Sequence, residues 1–143
     1  MNREIMYGLD IDLKKLEDKK IMKIILIRHG QSEADLLDVH EGRADFRLTA
    51  LGVEQAKKLA TWMKGKYEPE IIWTSPLLRA KETASIIGEA LKVRIKEDEG
   101  VKEWNNGVLA GLKRSEAKMI YPEPVSRRKP HERIQNGGSE LEF

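Results

Sequence analysis

The sequence predicts an α/β fold, a sandwich with a largely parallel central sheet. Short apolar runs rich in β-branched residues, Ile24 to Ile27, Glu70 to Thr74 and Val93 to Ile95, have the length of buried strands rather than of helices. Two longer segments between them repeat apolar residues at three- and four-residue intervals, the period of a helix with one buried face. Strand, helix, strand, helix, strand is the order of parallel crossover units.

The chain of 143 residues is long enough for one ordinary domain and short for two. A formal net charge of +2 comes from nearly balanced acids and bases, so no global field favours nucleic acid or an anionic membrane. There is no cysteine, which excludes disulfides and thiolate metal sites. No apolar run approaches a membrane span, and the first residues lack the apolar core of a signal peptide. A soluble, cytoplasmic protein is expected.

Residues 1–21 read as an N-terminal extension to a domain over 22–143. They are richly charged, with Leu9, Leu13 and Leu16 near helical spacing. Ile24 to Ile27 then reads as a central strand covered on both faces, ended by Gly30. The polar loop Gln31 to Arg47 is long for a compact domain, and such loops are often functional. Thr49 offers an N-cap to a helix burying Val53, Ala56, Leu59, Ala60 and Met63. After the second strand, Ser75-Pro76 is a helix-start signal, because serine caps free amides and proline needs none at the first position. That helix should run to about Leu91 with Ala80, Thr83, Ala84, Ile87 and Leu91 buried and Gly88 at a close approach. A short helix is expected over Ser115 to Tyr121, then a basic run from Arg127 to Arg133 that reads as a solvated face or a substrate lid. Gly137 to Phe143 resembles the first turn of another helix.

Arg28 and His29 fall at the carboxyl end of the first strand, the edge where open α/β sheets bind ligands. A guanidinium fork beside an imidazole suits an anion, with the ring as nucleophile or base. Arg79 lies in the first turn of a helix, where free amides also favour an anion. Three ordered motifs accompany these residues: Leu26-Ile27-Arg28-His29-Gly30-Gln31-Ser32, Leu48-Thr49-Ala50-Leu51-Gly52, and Ser75-Pro76-Leu77-Leu78-Arg79-Ala80-Lys81-Glu82-Thr83-Ala84. Glu103 with Gly107 and Gly111 forms a fourth. On these residues the chain resembles the histidine phosphatase superfamily, the phosphoglycerate mutase-like proteins, from about Met22 onward.

The resemblance implies a three-layer, phosphoglycerate mutase-like sandwich. It implies that His29 attacks phosphorus in line, giving a phosphohistidine that water hydrolyses, while Arg28 and Arg79 neutralise the non-bridging oxygens. Glu103 would protonate the departing alkoxide and later take a proton from water, although its loop also fits a solvated carboxylate. Ser32 would donate to phosphate or cap the turn. Gly42 and Arg43 border the substrate or belong to a charged surface loop. No metal or other cofactor is implied, because the arginines supply the charge.

One family feature has no counterpart. The second catalytic histidine, at the end of the last core strand, finds no match in His40 or His131, since neither follows an apolar strand. The expectation is a C-terminally truncated member lacking the last core strand, with one edge of the central strand exposed and a homo-oligomer left open. The expected activity is hydrolysis of a phosphomonoester, a small phosphorylated metabolite, with neither nucleic acid nor membrane as partner. The alternatives are a catalytically impaired phosphate-binding remnant and a phosphoglycerate mutase-type phosphotransferase.

Overall fold

The computed structural model describes residues 22–121 and 133–138. Its elements are α1 (Glu33–Leu37), α2 (Ala50–Met63), β1 (Ile72–Thr74), α3 (Leu78–Leu91), β2 (Ile95–Glu97) and α4 (Arg114–Ile120). The strands β1 and β2 pair in parallel, Ile72 opposite Ile95 and Thr74 opposite Glu97, with α3 as the crossover between them. The α/β class follows directly from this unit.

The α2 and α3 helices bury the faces that their apolar spacing demands. Ala60, Met63 and Ile87 form one core cluster, with Leu59, Ile72 and Leu91 packed against it. Thr49 caps α2 as expected, its hydroxyl accepting from the Gly52 amide at 3.1 Å. Gly88 is the predicted close approach, since a β-carbon there would lie 2.8 Å from the Ile95 side chain. On the opposite side of the sheet Trp73 is half exposed, with the Lys96 ammonium 4.2 Å from its ring centroid.

Three expectations change. Ile24 to Ile27 forms no strand: the backbone has no ladder partner among the described residues, and Ile24 and Leu26 are 71% and 92% exposed. A strand exists only where a neighbour receives its amides and carbonyls, and the described sheet ends at two strands. The start of α3 moves from Ser75-Pro76 to Leu78, because the capping acceptors come from the distant polar loop. Asp45 Oδ1 accepts from the Leu78 amide at 2.7 Å and the Phe46 carbonyl from the Arg79 amide at 3.1 Å. Finally, β2 begins at Ile95 rather than Val93. Lys92 adopts a left-handed conformation and the Val93 amide closes α3 on the Gly88 carbonyl, so these residues belong to the helix end.

The C-terminal part carries two 3₁₀ turns, Glu99–Val101 and Gly107–Leu109, before α4. Leu109, Ala117 and Ile134 form a second small core. Residues 133–138 are tied to it by bonds from the Val108 amide to the Gln135 carbonyl and from the Gly138 amide to the Asn105 carbonyl. The expected features over 1–21, the basic run from Arg127 through His131, and the turn at 139–143 lie outside the described residues.

Candidate functional site

The motifs, scattered in sequence, meet in space. Ser32 and Leu48 form an antiparallel bridge, and the Thr49 amide donates to the Gln31 carbonyl. This crossing is possible because both partners lack side chains: a β-carbon on Gly52 would lie 2.1 Å from the Gln31 carbonyl oxygen, and one on Gly30 would lie 2.4 Å from that of Gly52. Glu82 Oε2 accepts from the Leu48 amide, and the Thr83 hydroxyl accepts from the Gly30 amide. The loop bearing His29 is thereby fixed to both α2 and α3.

His29 Nδ1 lies 2.7 Å from the Gly30 carbonyl, so Nδ1 carries the proton and donates it there. The other nitrogen, Nε2, then holds a lone pair. Arg79 Nε donates toward that same atom at 3.1 Å, which requires the same tautomer. Arg79 itself is 1% exposed, a buried cation satisfied through Nη1 on the Ala44 carbonyl and Nη2 on the Gly42 carbonyl. Ser32 is also buried, its hydroxyl facing the carboxylates of Asp35 and Glu41. Asp35 accepts from the Ser32 amide at 2.8 Å, so this carboxylate caps α1.

Arg28 lines an adjoining cavity of about 340 Å³ together with Glu41, Gly42, His40, Glu103 and Arg114. Glu103 stands on its rim, exposed, with one carboxylate oxygen accepting from the Trp104 amide and its carbonyl accepting from Arg43 Nε. Of the residues singled out in the sequence, His29, Arg79 and Ser32 therefore converge on one point, while Arg28 and Glu103 border the cavity beside it. His40 reaches the same cavity; burial and the Arg114 guanidinium hold its imidazole below the ordinary value of 6.5, against the opposing Asp38 carboxylate. Among the described residues no acidic or histidine cluster has the geometry of a metal site.

Sequence reasoning missed Glu41. Its carboxylate lies 3.6 Å from His29 Nε2 and 3.5 Å from Arg79 Nε, besides contacting Ser32 Oγ. The available signal was its place beside Gly42, in a long polar loop whose Gly42 and Arg43 fit either a substrate border or a charged surface.

A loop histidine whose Nε2 meets the buried guanidinium of a helix-borne arginine is the centre of the site, and it agrees with the class of protein that the comparisons define. The chain belongs to the histidine phosphatase superfamily (branch 1), whose family model matches residues 24–142. It is 36% identical over 102 residues to the uncharacterized phosphatase PhoE of Bacillus subtilis, covering 71% of this chain and 52% of that protein. Phosphoserine phosphatase 1 of Hydrogenobacter thermophilus is 32% identical, with 85% of this chain and 58% of the relative covered. A 2,3-bisphosphoglycerate-dependent phosphoglycerate mutase of Nitrobacter hamburgensis is 36% identical over 70% of this chain and 50% of its own length. Among solved structures, a mycobacterial glucosyl-3-phosphoglycerate phosphatase in complex with VO3 superposes with a TM-score of 0.72 at 28% identity, covering 79% of this chain and 55% of the other. Bacillus stearothermophilus YhfR gives a TM-score of 0.73 at 27% identity, with 80% and 57% covered. The chain thus spans about half the length of the relatives it matches.

Among the described residues no helix is long and apolar enough to cross a membrane.

Proposed function

We propose that this chain is a cytoplasmic phosphomonoester hydrolase that acts on a small phosphorylated metabolite through a phosphohistidine at His29 Nε2. The reading rests on one observation above all: the Nδ1 proton is committed to the Gly30 carbonyl, which leaves the Nε2 lone pair beside the Arg79 guanidinium. In the reaction Nε2 forms a bond to phosphorus as the bond to the leaving oxygen breaks. Arg79 Nε, which donates to Nε2, turns to a non-bridging oxygen and stabilises the charge gathered there. Arg28 contributes a second cation at the cavity, and Ser32 a hydroxyl donor. Glu103 gives its proton to the departing alkoxide and then takes one from the water that cleaves the phosphohistidine. The phosphatases among the relatives support the reaction class.

The test is release of phosphate from para-nitrophenyl phosphate by the full chain and by His29→Ala, with acid-labile phosphoprotein followed in parallel. The substitution should lower the rate about a thousandfold or more and remove the adduct. Equal rates defeat the reading. Stabilisation by inorganic phosphate with neither turnover nor adduct would identify a phosphate-binding remnant instead.

A further inference from the structure

We propose that Glu41 is a tethered anion occupying the phosphoryl position, so that phosphate enters by displacing it and Glu41 sets the affinity of the site. The inference rests on the reading of His29, Arg79 and Ser32 as the phosphate-facing groups, and adds a residue that competes with the substrate.

Three groups that would serve a phosphoryl oxyanion all face this one carboxylate. Oε1 contacts the Ser32 hydroxyl and lies 3.5 Å from Arg79 Nε, while Oε2 lies 3.6 Å from His29 Nε2. In-line attack brings phosphorus to about 3–3.5 Å from the nucleophilic nitrogen. Glu41 Oε2, at 3.6 Å from that nitrogen, stands in this space, so carboxylate and phosphoryl group exclude each other. Like charge strengthens the exclusion, because both are anions beside a buried guanidinium.

The same contact explains how a buried arginine is tolerated. Arg79 spends Nη1 and Nη2 on the Ala44 and Gly42 carbonyls, which carry no charge, and Glu41 supplies the counter-ion. Phosphate would take over that role when Glu41 leaves. Room for the displaced side chain exists nearby, since Glu41 also borders the open cavity shared with Arg28 and Glu103.

The experiment compares the full chain with Glu41→Gln and Glu41→Ala, reading thermal stabilisation and calorimetric binding of inorganic phosphate. Both variants should melt lower than the parent without phosphate, bind phosphate at least about tenfold more tightly, and recover more stability from it. A purely structural ion pair predicts the lower melting temperature with no gain in affinity, and that outcome overturns the proposal. Tightening by Glu41→Gln alone would mean that the new amide donates to phosphate, which also overturns it. Unchanged affinity alongside His29-dependent turnover removes the role of Glu41 and leaves the hydrolase standing; absence of phosphate binding in all three proteins overturns both.

Discussion

Ile24 to Ile27 and Ile71 to Thr74 are nearly the same kind of sequence, short, apolar and β-branched, yet only the second contains a strand. Within it, Ile72 lies on the core built by α2 and α3, and β1 has β2 for a partner. Among the described residues the first run has no ladder partner, and its side chains are exposed. Strand propensity is therefore a statement about fitting a pleated, half-buried surface, and where no surface is offered it decides nothing. His29 has anchors away from that run. It is held from the other side, by the crossing of Gly30 and Gln31 over α2 and by Thr83 of α3.

The sharpest way to break this contrast is a pair of truncations. Ile87→Ala should cost about 2–5 kcal/mol, because it empties a site in the main cluster. Leu26→Ala should fall within about 0.5 kcal/mol of the parent, since an exposed side chain loses no burial. Urea unfolding measures both, and a Leu26→Ala cost rivalling that of Ile87→Ala would show the run to be covered in solution. Next in size is Gly52→Ala. It drives a methyl group into the Gln31 carbonyl and should cost about 1–3 kcal/mol while weakening phosphate binding, as seen by thermal shift with and without phosphate. A stability loss with unchanged binding would separate the histidine loop from α2.

Asp45→Ala removes the acceptor at the Leu78 amide and should cost about 0.5–2 kcal/mol in the same unfolding assay. No loss would return the start of α3 to Ser75-Pro76. The smallest effect concerns His40. Burial, then Arg114, lowers its pKa in the folded protein, so the unfolded chain binds the proton more tightly and stability falls as pH drops below about 6.5. His40→Gln should flatten that slope in a stability profile from pH 7.5 to 5, and an unaltered slope would assign it to other groups.

Local chemistry made much of this legible. Thr49 as a cap and the buried stripe of α3 follow from hydroxyl chemistry and from a period of 3.6 residues, both contained within a single helix. His29, Arg79 and Ser32 were legible as motif members. What escaped depends on distant partners. Asp45 caps a helix that begins 33 residues later, and no local pattern marks an aspartate for that task. Glu41 is an ordinary loop carboxylate until folding brings Arg79 against it. The failure at Ile24 to Ile27 has the same origin, since a strand is specified by its neighbours as much as by itself.

The crossing at Gly52 reaches further than packing. Because α2 bears only a hydrogen atom there, the Gln31 carbonyl can settle against the helix, and the Gly30 carbonyl is left aimed at His29 Nδ1. That carbonyl decides which ring nitrogen keeps the proton, and hence which one is bare. The bare end of a histidine is in this way selected by a position on another element that has no side chain at all, and a search confined to functional side chains would pass over the residue that chooses between the two nitrogens.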